Sequence, residues 1–384
     1  MRRRALPCLE IRQVASRRER EVFVRLPWRF YRDDPNWVPP LLSSARRVFD
    51  PARNPFFEHG EMRLYLAWRE RRPVGRVAAI VNRLHNEYHG DATGFWGFLE
   101  AEADESVVSV LLDRVAEDLR ACGMNRMLGP FNPSINAECG LLVEGFDRPP
   151  SLMMPYNPPS YPELVERAGH CRHKDLLAYY LDCQMLADNP ERMARMERIE
   201  RAIMRRHPEL SIRTLDMSRY EEEVLALAEL FNEARRENWG FVPVTRAEAL
   251  EMAREMKPIV EPTCGIFAEL GGRLVGCVMG LPDIGPLLKK AKGRLFPFGW
   301  VHLVGWRRRV HEMRIFGAGV LPKYRHLGII PILFLNYVRN STGIGYDTGE
   351  LSWVAEDNLR SVRTLEAAFG PRPHKRYRIY EREL

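Results

Sequence analysis

The run Gly319-Val-Leu-Pro-Lys-Tyr-Arg-His-Leu-Gly-Ile-Ile330 carries residue types that can hold a phosphate by main chain. Its start predicts a strand ending at Val320. Gly328 then opens an apolar run that predicts a helix to about Asn340, with Pro331 in the first turn, where a missing N–H costs little. The first turn of a helix leaves its N–H groups without intrahelical partners and carries partial positive charge. Gly328 lets the backbone approach a diphosphate closely, and Arg325 adds formal charge. Carboxylates flank this run: Glu312 lies ahead of the strand and Glu350 on the next one. Glu350 first, and Glu312 second, are candidates to take a proton from a nucleophile. Glu356 and Asp357 read as caps of the last helix.

The elements that must position these residues occur twice. Residues 65–78 and 266–279 each read as two antiparallel strands around a polar turn, with Ala67 and Gly75 eight apart, as are Ala268 and Gly276. Both copies continue with a strand, a helix and another strand: Gly94–Leu99, Ser106–Cys122 and Asn125–Gly129 in the first, Arg314–Val320, the Gly328 helix and Glu350–Val354 in the second. The expected class is α/β (α+β), in tandem domains with a mixed, mostly antiparallel central sheet flanked by helices. The expected boundaries are 1–185, a charged helical linker at 186–212, and 213–384. The first copy has Glu102-Ala-Asp-Glu-Ser106 before its helix, and those carboxylates would repel a diphosphate.

Composition narrows the class. The chain has 384 residues, 58 Lys and Arg against 51 Asp and Glu, and 45% apolar residues, which fits a folded protein with a full core. The longest apolar run, Gly328–Val338, is short of the roughly 18 residues of a spanning helix, and no apolar core follows Met1-Arg-Arg-Arg. The seven cysteines (8, 122, 139, 171, 183, 264, 277) are widely spaced without a CxxC pair, so reduced thiols in a cytoplasm and no metal site are expected. Basic clusters at 289–294 and 307–309 suit a phosphate-bearing ligand or an anionic membrane surface. No nucleic-acid-binding motif accompanies them, so no nucleic acid is expected.

Placed after a strand and before a helix, Arg325-His-Leu-Gly328-Ile-Ile330 resembles the cofactor loop of the GNAT superfamily of acyl-CoA N-acyltransferases. The resemblance implies acyl-CoA as donor. It places Val320, Arg325, His326, Leu327, Gly328, Ile329 and Ile330 on the cofactor, with Asn358 opening the next helix. The final small residue of the signature is Ile330 here. The position where many relatives carry a Tyr that protonates the departing thiolate is Leu365, so Tyr377 and Tyr380 are the replacement acids. Backbone N–H groups at a strand bulge near Gly317–Val320 would polarise the thioester carbonyl. A narrower resemblance, to the bacterial ceramide synthase-like branch, rests on Phe30–Pro40, Gly129–Gly140, Glu144–Asp147, Asn238–Pro243 and Gly293–Phe298. It implies transfer of a fatty acyl group to the amine of a sphinganine-like long-chain base.

The residues allow a lipid substrate. The stretch 281–304 is apolar, aromatic and basic together, with Phe296 and Phe298 as candidates to wall an apolar groove or meet a bilayer. That leaves a cytoplasmic enzyme or one held peripherally at the inner membrane. Asn132, Asn136 and Glu138 could present polar groups to an amino-alcohol head, and Asn238 and Trp239 could border the acceptor groove. A small amine, an amino acid or a protein amine is the alternative acceptor. A non-catalytic binding protein of the same fold is the rival that Ile330 and Leu365 suggest.

Overall fold

The computed structural model describes residues 9–369 and 372–384, with the side chains of 367–369 excepted; Cys8 lies outside them. The chain divides into two compact units. The first comprises residues to Leu176 together with Pro286–Leu303 and Lys375–Leu384, and the second comprises Leu177–Gly285 and Val304–His374.

In the first unit, strands Leu9–Gln13, Gly60–Arg69, Arg72–Asn82, Thr93–Ala101, Arg126–Gly129 and Lys375–Glu383 lie side by side in that order. In the second, the order is Thr348–Ala355, Glu312–Val320, Arg273–Pro282, Gly265–Leu270 and Leu210–Thr214. In each, one pair is parallel and the other pairings given are antiparallel: Thr93–Ala101 with Arg126–Gly129, and Glu312–Val320 with Thr348–Ala355. The mixed, mostly antiparallel sheet expected from the sequence is present in both units.

The repeated Ala and Gly are direct cross-strand partners in both hairpins, Ala67 with Gly75 and Ala268 with Gly276. The register slips immediately after the alanine in each, between Ala67 and Trp68 and between Ala268 and Glu269. Both glycines sit under a helix. A Cβ at Gly75 would lie 2.7 Å from Leu111, and one at Gly276 would lie 3.3 Å from Leu333. Glycine leaves room where the helix crosses the hairpin, and a side chain there would push Leu111 or Leu333 aside.

Those helices are Glu105–Ala121 and Ile329–Gly343. The first buries Val107, Val108, Leu111, Leu112, Val115, Ala116 and Leu119, a stripe at helical spacing. Each larger side chain there contributes about 1.5–3 kcal/mol of burial. The second buries Ile329, Ile332, Leu333, Leu335, Tyr337 and Val338 on its sheet. Helix Pro190–Arg206, in the expected linker, belongs to the second unit and lies along Ile329–Gly343, where Glu197 and Glu200 pair with Arg339.

Candidate active site

The second unit holds the loop that the sequence reads as a phosphate cradle. After Val320 the chain makes a 3-10 turn, Pro322–Leu327, then Gly328 at φ +72°, then helix Ile329–Gly343. The left-handed conformation at Gly328 turns the chain into the helix, and a Cβ there would stand 3.2 Å from Ile203 of the neighbouring helix. No side chain caps this helix start. Its first N–H groups therefore have no intrahelical partner. Arg325 is half-buried and holds the loop in place: Nη2 donates to Ala234 O at 2.7 Å and Nε to Val320 O at 3.3 Å. His326 is exposed, and Leu327 and Ile330 are half-buried.

The strand leading into this loop is open along one side. Glu312–Val320 pairs with Thr348–Ala355 only from Glu312↔Thr348 to Ile315↔Leu351. Both strands continue beyond that register, so they part there. On its other side the strand stays paired through Val320, with a register slip that skips Phe316. The bulge thus lies at Phe316, just ahead of the expected Gly317–Val320. Residues 316–320 have no strand partner along one edge, which ends at an uncapped helix N-terminus; Phe316 O accepts from Arg235 Nη2 at 3.4 Å and Val320 O from Arg325. An extended, amide-bearing arm tipped with a diphosphate matches that edge and that helix start.

The equivalent place in the first unit is filled. Thr93–Ala101 parts from Arg126–Gly129 after Phe95↔Leu128. There Asn132 Oδ1 accepts the Phe98 N–H at 2.7 Å, and a Cβ at Gly97 would lie 1.7 Å from Phe131 O. The helix that follows is capped by its own Asp104, whose Oδ1 accepts Ser106 N at 2.9 Å. Asn132, expected on an acceptor head group, is therefore engaged with backbone. Glu138 pairs in register with Asn132 in the two-stranded Phe131–Cys139 ribbon, and Asn136 N donates to Ser134 Oγ at 3.3 Å.

At the register where the second unit's strands part, charged side chains are buried. Glu350 is 2% exposed, and its Oε2 lies 2.8 Å from His374 Nε2. Its Oε1 is buried without a hydrogen-bond partner. Its register partner is Arg314, whose Nε donates to Ser352 Oγ at 3.0 Å. His374 is positioned by its backbone N–H, which donates to Ala178 O at 2.9 Å. Its ring lies 5.6 Å from that of Tyr180, whose hydroxyl donates to Glu312 Oε1 at 3.3 Å. Burial pulls the Glu350 carboxyl up, but the hydrogen bond and charge of His374, with Ser352 and Arg314 behind, outweigh it and hold the group below the usual carboxylate range. Asp283 is buried in the same unit, and burial, with the charges of Glu312 and Glu350, pushes its carboxyl up to about 7. Two of the expected carboxylates, Glu312 and Glu350, are thus linked through Tyr180 and His374.

An apolar cavity lies beside the bulge, lined by Leu227, Met252, Met256, Met279, Leu281 and Phe316. Asn238 is exposed and Trp239 half-buried in the turn after helix Tyr220–Ala234. Asn358 Oδ1 caps the last helix through Ser361 N at 3.2 Å, and Leu365 is buried. Tyr380 and Tyr377 belong to the first unit and are buried; the Tyr380 hydroxyl donates to Glu166 Oε1 at 3.1 Å. Phe296 and Phe298, also of the first unit, are 81% and 77% exposed and enclose no groove. His374, Tyr180 and Asp283 were missed by the sequence reading. The available signal was charge inside apolar strands: Arg314, Glu350 and Ser352.

Compared with known proteins, the chain is 37% identical to a protein named bacterial ceramide synthase from Caulobacter vibrioides (strain NA1000 / CB15N), over 98% of both chains. The chain belongs to the bacterial ceramide synthase family. It is also 33% identical to the Escherichia coli (strain K12) protein YghO, over 97% of this chain and 95% of that one. No protein-family profile matches it. Among solved structures, a tandem GNAT protein from the clavulanic acid biosynthesis pathway superposes with TM-score 0.57 at 15% identity, covering 98% of each chain. A GCN5-related N-acetyltransferase from Sphaerobacter thermophilus gives TM-score 0.51 at 14% identity, covering 98% of this chain and 95% of that one. These matches extend the tandem GNAT fold over the whole chain. The protein is an acyltransferase.

Proposed function

We propose that this acyltransferase moves a fatty acyl group from coenzyme A to the primary amine of a long-chain, sphinganine-like base. The observation that carries the donor half is the open edge of residues 316–320 running into the uncapped helix at Gly328. The likeness to a protein named ceramide synthase over 98% of both chains supports the acceptor half.

In this reading, N–H groups at Gly328, Ile329 and Ile330 hold the diphosphate, and the side chain of Arg325 keeps that turn in place. The edge at 316–320 takes the amide-bearing arm, and Asn358 stands at the helix that follows. The small Met-lined cavity beside Phe316 receives the first carbons of the acyl chain, since unbranched thioethers adapt to a flexible ligand. His374, oriented by the buried Glu350, takes the proton from the attacking ammonium. The nitrogen lone pair then forms the C–N bond to the carbonyl carbon as the C–S bond breaks; the sulfur leaves with the bonding pair, and the nitrogen gives up its second surplus proton to solvent, from which the group that protonates the sulfur is recharged. Tyr180 is the group we put forward to return a proton to that sulfur, because its ring lies 5.6 Å from that of His374 in the second unit, whereas Tyr380 belongs to the first. Asn238 and Trp239 border the acceptor's approach. The acceptor enters from a bilayer surface, which its long chain requires.

Thiol release with short and long acyl-CoA, with and without sphinganine, tests this. Sphinganine-dependent release with long acyl-CoA is expected. Release only with short chains and small amines overturns the lipid acceptor, and no release with any pair favours a binding protein.

A further inference from the structure

Large apolar side chains cluster on the surface of one short stretch. Phe296, Phe298, Trp300 and Val301 are 81%, 77%, 49% and 50% exposed. The stretch that carries them, Pro286–Leu303, belongs to the first unit although it lies in the second half of the sequence.

Its base is fixed. Leu287, Leu288 and Ala291 are buried, Gly293 O accepts Leu42 N at 2.8 Å, and Lys292 O accepts Trp28 Nε1 at 3.4 Å. Lys289 Nζ donates to Pro35 O. Its tip is closed on itself: Trp300 N donates to Leu295 O at 2.8 Å, and Trp300 Nε1 to Pro297 O at 3.1 Å. A Cβ at Gly299 would lie 1.7 Å from Arg294 O, so only glycine permits this turn. The aromatic rings thus stand out on a rigid support whose polar groups are already engaged.

The charge around the tip has one sign. Pro286–Leu303 contains no Asp or Glu, whereas it carries Lys289, Lys290, Lys292 and Arg294. Lys290, Lys292 and Arg294 are exposed, and among the described residues none pairs with a carboxylate. Aromatic rings with satisfied polar groups, flanked by free cations, match the interface of an anionic bilayer. A protein partner of the same charge complement would need a cup for these rings, whereas acyl chains accept any protruding shape.

We infer that the Leu295–Val301 turn is an interfacial anchor that seats the protein on anionic membranes, with Phe296, Phe298 and Trp300 among the lipid chains and Lys290, Lys292 and Arg294 on the head groups. The inference rests on the proposed lipid acceptor only for its purpose; the binding itself is read without turnover.

The test is co-sedimentation of the full chain with vesicles of phosphatidylcholine alone or mixed with phosphatidylglycerol. Binding to the mixed vesicles, weakened by added salt, is expected. Phe296→Ser, Phe298→Ser and Trp300→Ser together should lower the partition coefficient by about tenfold or more. Lys290→Glu, Lys292→Glu and Arg294→Glu together should abolish the preference for phosphatidylglycerol. Unfolding temperature and coenzyme A affinity establish that each variant is folded. Equal binding of wild type and both variants, or no binding to either vesicle, overturns the anchor. So does a change in oligomeric state by light scattering in the aromatic variant without a change in vesicle binding, which would assign the patch to a second copy of the chain. Vesicle binding without sphinganine-dependent thiol release would retain the anchor and reject the acceptor.

Discussion

Glu350 Oε2 and His374 Nε2 stand 2.8 Å apart in the second unit, with Glu350 buried and its other oxygen unpartnered. The carboxylate is ionised across neutral pH because His374, Ser352 and Arg314 outweigh its burial. It can therefore orient the imidazole. Glu350→Gln keeps the shape and removes the charge. We expect kcat to fall by about 10²–10⁴, the usual contribution of general base catalysis, with little change in coenzyme A affinity. His374→Ala should fall as far, and the double variant no further. Additive losses would show that the two act separately.

Arg325 ties Val320 O and Ala234 O to the loop that precedes helix Ile329–Gly343. A hydrogen bond from a charged donor is worth about 1.5–3 kcal/mol. Arg325→Ala should therefore weaken coenzyme A binding by about tenfold or more in a calorimetric titration. Unchanged affinity would mean the loop does not hold the donor.

One donor site per chain is expected, because Asn132 fills the first unit's strand opening and Asp104 caps its helix. Titration with coenzyme A should give a stoichiometry of one in the wild type. Two sites, or one site that survives Gly328→Val while Asn132→Ala alters it, would place the donor in the first unit.

The small cavity beside Phe316 admits the first carbons of the acyl chain in the proposed reading. Met279→Trp should fill it and shift the kcat/KM preference toward shorter acyl-CoA. An unchanged chain-length profile, with the variant folded, would remove the cavity from the acyl path.

Asp283 links stability to pH. Its carboxyl is pushed up to about 7 from an ordinary 3.8, so between these values the folded state holds a proton that the unfolded chain has lost. Stability should then fall as pH rises from about 4 to about 7. The loss is about 1.4 kcal/mol for each pH unit within that window, on the order of a few kcal/mol in all. Asp283→Asn should flatten that fall and raise the unfolding temperature at pH 8. Glu100 in the first unit is also pushed up to about 7 and adds a fall of the same sign, so a slope remains in the variant. An identical pH profile in wild type and variant would show that Asp283 does not titrate in this range.

The sequence by itself determined the features that local physics controls. The Ala–Gly hairpin repeat, the helix stripes and the Arg325–Gly328 turn depend on neighbours a few residues apart, and the spacing of apolar and glycine residues encodes them. Tertiary structure alone decided what long-range packing controls. His374 and Glu350 are 24 residues apart on different elements, and only the fold of the second unit brings them together. The engagement of Asn132 with Phe98, 34 residues away, depends on where one strand parts from its neighbour. The same holds for Phe296 and Phe298, which read equally well as groove walls or as surface. Whether a ring is buried depends on what the rest of the chain places over it, and here the described residues leave both rings mostly exposed.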